Sequence, residues 1–312
     1  MTANLTSQDI APGSCTPTRD RAKTVQTIVK IITGSFAAIS IFTTIGILLT
    51  LIFETFAFFQ EIPITQFLTD TRWTPLFSSK QFGIFVLISA TVMIAVLSVA
   101  VALPLGLLSA ICLSEYASPQ VRRVLKPVLE ILVGVPTVVY GYFALLTATP
   151  FLQLFIPNLQ GFNALSAGLV LGVMITPLVA SLSEDALHAV PRALKDGAYA
   201  LGATKRETVV SVVLPAALSG IVSSLILAVS RAVGETMIVT LAAGANPTLG
   251  FTPFVPVMTM TAFIVQITAG DAPHGTTAYK TLFAVGMTLF LMTFALNVFS
   301  FWFVRRFREK YD

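Results

Sequence analysis

Charge is scarce in this chain: Asp, Glu, Lys and Arg make up 11% of its 312 residues, while 55% are hydrophobic and the mean hydropathy is +0.85. Soluble globular domains carry about a quarter charged residues, so this composition excludes one and calls for an integral membrane protein. Cysteine is scarce too. Cys15, in a polar stretch, and Cys112, in an apolar run, make neither a disulfide framework nor a metal site, and are expected to be tail and packing residues. The histidines are His188, in a charged loop, and His274, in an outer segment; both are expected to be solvated rather than catalytic or metal-binding. A Gly-x-x-x-x-Gly-Lys-Ser/Thr phosphate loop is missing, since the nearest stretch, Gly202-Ala-Thr-Lys205, lacks the second glycine. A clustered nucleophile, acid or metal set is missing as well. The expectation is therefore no cofactor, no metal and no enzyme activity in this chain.

What the chain does have is a series of apolar runs of spanning length. Spans are expected at 31–53, 83–113 (interrupted by Pro104), 131–156, 164–183 (with Pro177), 215–241 and 281–304, giving one all-α transmembrane domain over 31–304 with about six helices. Residues 1–30 read as a flexible N-terminal tail without a signal-peptide core, and 305–312 as a C-terminal tail. Gly134-Val-Pro136 should bend the first turn of the third span. Trp73, in a mixed segment over 54–80, is expected at the headgroup level. The run 252–268 is short and broken by Pro253 and Pro256, which suits a re-entrant or interfacial helix on the outer face.

Positive charge tests that layout. Only Arg72, Lys80 and Lys280 fall on the proposed outer side and Arg231 falls within a span; every other Lys and Arg lies in a tail or loop assigned to the inner side. Such segregation places both termini in the cytoplasm and marks a bilayer surface, although a net charge of +4 and a pI near 9.2 could also suggest nucleic acid.

The stretch 184–240 carries the chemistry. Its loop half, 184–214, alternates charge with Ala and Leu as amphipathic surface helices do, and Gly202 permits a tight turn between two of them. Its apolar half carries Arg231 and Glu235, four residues apart and so on one helix face, where they could neutralise each other or line a cavity. Measured from Pro215, Arg231 would lie slightly outside the bilayer centre. A charge there costs roughly 2.5–3.5 kcal/mol. The planar guanidinium suits an oxyanion, Glu235 could hold it when no anion is present, and Ser224, Ser230 and Thr236 could add hydroxyl donors. The competing reading is a static salt bridge that locks helix packing.

Asp196-Gly197-Ala198, then Gly202, then Val212, Leu214 and Pro215 resembles the permease signature of ATP-binding-cassette importers, which reads Glu-Ala-Ala, three residues, Gly, nine residues, Ile-x-Leu-Pro. Arg231-Ala-Val-Gly-Glu-Thr-Met237, Leu68-Thr-Asp-Thr-Arg-Trp73-Thr-Pro75 and Gly134-Val-Pro-Thr-Val-Val-Tyr140-Gly141 narrow the resemblance to the phosphate-import permeases, PstC type. It extends over nearly the whole chain. The resemblance implies a type I importer permease fold in a bacterial inner membrane, with a cytoplasmic coupling helix and short outer-face helices. Ala193, Asp196, Gly197, Ala198, Gly202, Leu214 and Pro215 would then serve docking on an ATPase. It further implies a heterodimer with a second permease, two ATPase subunits that hold the ATP and magnesium, and an extracytoplasmic phosphate-binding protein. Molybdate, sulfate or phosphonate permeases and the sister phosphate permease share the loop signature. A secondary transporter would keep the intramembrane Arg and Glu but would have no use for that signature.

Overall fold

The computed structural model describes residues 19–307, all in helices, turns and loops apart from one isolated antiparallel bridge between Trp73 and Phe82. Twelve α-helices follow one another: α1 Arg19–Glu61, α2 Ile64–Thr69, α3 Ile84–Ile111, α4 Pro119–Val133, α5 Thr137–Phe143, α6 Thr149–Gln153, α7 Ala164–His188, α8 Arg192–Ala200, α9 Lys205–Thr208, α10 Leu214–Val233, α11 Met260–Gln266 and α12 Thr277–Phe307. Single π turns extend several of them, at Cys112–Tyr116, Ala144–Ala148, Val209–Val213, Val239–Ala243 and Ile267–Asp271. Among the described residues, five helical runs are long and apolar enough to cross a membrane, and a sixth if α4 to α6 count as one broken span.

The chain divides into a unit ending at Thr50 and one starting at Leu51. In the first, α1 exposes Phe36, Phe42 and Ile47. Helix α1 begins at Arg19, so residues 19–30 are helical where a flexible tail is expected; residues 1–18, with Cys15, and 308–312 lie outside the described residues.

In the second unit α3 and α7 pack most extensively, because the sequence leaves their contact line without side chains. A Cβ on Gly168 would stand 2.7 Å from that of Leu97, and one on Gly172 only 2.6 Å from the Ser98 carbonyl oxygen. Small residues let membrane helices approach this closely, so dispersion contacts rather than water exclusion hold them. Around that pair Ile94, Leu171, Ile175, Val179, Ala228 and Ile238 form a central core. Pro104 and Pro177 sit inside unbroken helices. Phe58, Phe67, Trp73, Phe82 and Phe263 close one end of α3, and Leu187, Val190, Val213 and Ile221 close the other. Trp73 is therefore core, 1% exposed, and not at a headgroup surface; Asp70 accepts the Phe82 N–H and folds its loop inward. Cys112 is exposed rather than packed.

Two expected spans and the outer run change shape. The third breaks at Gly134–Pro136, with α4 bent 83° from the run 137–153. Proline cannot continue a helix without losing a backbone bond, and it biases the residue before it towards extended backbone. The fifth begins at Lys205, ahead of Pro215, and the π turn Val209–Val213 stands where the Pro215 ring would otherwise crowd the preceding helical turn. It stops at Val233, so it does not run on to 241. In the run 252–268, helix waits until Met260, where Thr259 caps it by accepting the Ala262 N–H.

Candidate functional site: the break after α10 and the α8 segment

Gly234 ends α10, residues 235–236 are not helical, and helix resumes at Met237. Glu235, 8% exposed, turns its carboxylate onto the new run: Oε1 accepts the N–H groups of Met237 at 3.1 Å and Ile238 at 3.4 Å. Carboxylates are favoured there because the first amides of a helix have no partner within it. The Glu235 carbonyl accepts the Thr261 hydroxyl at 2.7 Å, fixing the break against α11.

Arg231 and Glu235 therefore do not share a helix face, and among the described residues they form no ion pair with each other. The i, i+4 rule presumes continuous helix, and Gly234 ends it. Arg231 is exposed on this chain. Ser224 is buried and spent, bonded to Ser183 of α7 at 2.8 Å and donating to the Ile221 carbonyl. Thr236 donates back to the Gly234 carbonyl at 3.3 Å. The buried Ser230 hydroxyl, next to Arg231, has no hydrogen-bond partner among the described residues. Of the five expected pathway residues, the break sets Ser230 and Arg231 uncommitted in sequence neighbourhood, Glu235 and Thr236 engaged locally, and Ser224 in an inter-helix bond.

At the other end of α10 stands α8, none of whose residues is buried. Ala193, Asp196 and Gly197 are exposed and Ala198 half-buried; Leu201, just beyond, is 91% exposed. Gly202 has φ +83°, a left-handed turn that only glycine adopts freely, and its N–H closes onto the Tyr199 carbonyl. A Cβ on Gly197 would meet nothing within 4 Å, so the chain itself does not demand glycine there. Thr204 and Glu207 cap α9 reciprocally. Leu214 and Pro215 are separated from α8 by α9 and the π turn that follows it.

Sequence reasoning missed what fastens this segment. Lys195 of α8 donates to Glu115 at 2.6 Å, and the Lys205 ammonium lies 4.8 Å from the centre of the Tyr116 ring. Beside them Arg122 pairs with Glu184, and Lys126 pairs with both Glu184 and Asp185. Arg122 also hydrogen-bonds the His188 ring at 3.0 Å, so His188 is not merely solvated. Helix α4 was readable: Ser118 before Pro119 is a cap followed by a first-turn proline, and Arg122 and Lys126 are one turn apart. His274 is exposed, its ring centre 4.4 Å from that of Tyr279. No cluster of three or more potential metal ligands occurs among the described residues.

Residues 102–311 match the model of a family described as the inner membrane component of binding-protein-dependent transport systems. A probable ABC transporter permease, YqgH of Bacillus subtilis, is 36% identical over 73% of this chain and 74% of its own length. The phosphate transport system permease protein PstC of Mesorhizobium japonicum is 33% identical over 74% of this chain and 75% of its own. The probable PstC of Methanocaldococcus jannaschii is 31% identical over 81% and 87%. Among solved structures, a chain of a bacterial alginate ABC transporter superposes with TM-score 0.61 at 16% identity, covering 93% of this chain and 98% of that one. The inward-facing MetNI methionine ABC transporter gives 0.53 at 19%, covering 73% and 95%. At those identities the superpositions speak for the fold, that of a type I ABC importer permease. With its several apolar helices and the match over 102–311, the chain belongs to the binding-protein-dependent transport permeases, as a multi-pass inner-membrane transport subunit.

Proposed function

We propose that this chain is one permease subunit of an ATP-driven importer of inorganic phosphate, forming half of the translocation pathway. The observation that carries the reading is Arg231: a permanent cation on an apolar helix, exposed, with no carboxylate partner among the described residues and a free buried hydroxyl next to it at Ser230. Such a charge is costly facing lipid and useful facing an anion path. Relatives named phosphate transport permeases supply the choice of anion. The path is completed by a second, different permease against which Arg231 is set. ATP and magnesium belong to two partner ATPase subunits that dock on α8, whose exposed Ala193, Asp196 and Gly197 and open space at Gly197 favour a close-fitting partner. An extracytoplasmic phosphate-binding protein delivers the ion. Both termini and α8 are cytoplasmic, the 62–83 loop and α11 extracytoplasmic.

The test is Arg231→Gln in the reconstituted complex. One charge-assisted contact contributes about 1.5–3 kcal/mol, so uptake of phosphate should fall about tenfold or more. The complex should stay assembled, because no ion pair among the described residues is lost. Wild-type uptake by the variant, or uptake competed by sulfate or molybdate but not by phosphate, would overturn the reading. Orientation is tested with cysteines at Thr204 and Thr276 in a chain lacking Cys15 and Cys112. Thr204→Cys should react only with reagent on the cytoplasmic side and Thr276→Cys only from outside.

A further inference from the structure

Helix α3 is held towards both ends by side chains that water hardly reaches. At one end it runs on into the π turn Cys112–Tyr116, and two consecutive residues of that turn hold the two helices on either side of the Gly202 turn. Glu115, 7% exposed, accepts Lys195 of α8, and the Tyr116 ring meets the ammonium of Lys205, with which α9 begins. Among the described residues, Lys195–Glu115 is the one side-chain hydrogen bond or ion pair that joins α8 to another element.

Towards the other end Thr91, 2% exposed, donates to the Leu87 carbonyl of its own helix and accepts the N–H of Met260, the first residue of α11. From α11 the Thr261 hydroxyl reaches on to the Glu235 carbonyl in the break after α10. Opening any of these bonds strands a buried donor or acceptor, so the joined elements shift together before a bond gives. Between the two attachments lie about 35 Å of helix, with little room to slide on α7: a Cβ on Gly106 would stand 2.8 Å from that of Val179. The α8–α9 segment therefore reaches the break twice, directly along α10, which ends at Gly234, and along α3 and α11, which hold the Glu235 carbonyl.

We propose that Glu115 and Thr91 are positioning residues: they join α8 to residues 234–236 beside Arg231, so that a displacement of the dock is carried to the break through α3. The inference rests on the reading of α8 as the ATPase dock and holds whatever anion is carried.

The experiment uses the complex with its ATPase, bearing Thr236→Cys as a probe in a chain without Cys15 and Cys112. The rate of its reaction with a thiol reagent is measured without nucleotide and with a non-hydrolysable ATP analogue, and no transported ion is needed. The two rates should differ. Glu115→Gln and Thr91→Val should each shrink that difference about twofold or more, as substitutions between coupled sites do, with the ATPase copurifying as before. Thr91→Ser, which keeps the accepting hydroxyl, should preserve it, and so should Lys280→Gln, which breaks an ion pair off this route. Links in series fail once, so the double variant should lose no more than the more affected single one. Equal rates in the parent, an undiminished difference in either Glu115→Gln or Thr91→Val, losses that multiply in the double variant, or an ATPase no longer retained by Glu115→Gln would each overturn the inference. Cross-linking from Ala193→Cys separates it from the dock: no link to the ATPase overturns both, whereas a link with an undiminished difference overturns the inference alone.

Discussion

At one end of α3 the 62–83 loop is held by rings: Phe58, Phe67, Trp73, Phe82 and Phe263 meet edge to face with centroids 5.0 to 6.5 Å apart. At the other end, α4, α7 and α8 are held by Arg122, Lys126 and Lys195 on Glu184, Asp185 and Glu115. Both ends lie within one unit and serve the same helices, yet their fastenings answer to different disturbances. Aromatic packing is dry, insensitive to salt and lost only when volume is lost. The cations Arg122 and Lys126 are about a quarter exposed, so water and incoming charges reach them, while the Glu184 carboxylate they hold is buried and depends on them. The α8 end, proposed above as the ATPase dock, has the kind that solvent reaches.

Substitutions at three positions can break this contrast, from the largest effect down. Trp73→Ala empties the aromatic end and should cost about 3–5 kcal/mol, read as lost assembly or a lowered unfolding temperature that added salt does not change. Trp73→Phe should cost far less, since it also removes an indole N–H that is buried without a hydrogen-bond partner among the described residues. Glu184→Gln keeps the shape but takes from Arg122 its carboxylate, while Lys126 keeps Asp185, and should cost about 1–3 kcal/mol; a salt-independent loss would contradict the solvent-accessible character of that end. Lys195→Met leaves the Glu115 carboxylate, 7% exposed, without its cation and should cost about 1–2 kcal/mol in stability, while loosening α8 enough to lower the ratio of phosphate moved to ATP hydrolysed. An unchanged ratio would make the Lys195–Glu115 pair incidental to docking.

The spans were legible because hydropathy and charge segregation act over many residues and tolerate a single misreading. Gly202 was legible because a positive φ asks for one residue type. Helix α4 is marked only at its start, by Ser118 before Pro119: Arg122, Arg123, Lys126 and Glu130 make the rest of its stretch look like a loop, and its apolar positions show a stripe only once helix is assumed. Trp73 was misplaced because an interfacial and a buried tryptophan look alike without the chain folding Asp70 back onto Phe82. The same limit produced the error at Arg231 and Glu235. Spacing rules read a neighbour along the helix, and one glycine was enough to hand Glu235 to the next helical run.

The π turn Val209–Val213 has a consequence for how this chain tolerates changes in length. A π turn is one surplus residue lodged in an α-helix, so deleting a residue there would leave α9 and α10 facing as they do. The same deletion within Leu214–Ser230 would rotate everything after it by about 100°, taking Ser224 off Ser183 if made before it and swinging Arg231 to a different side in either case.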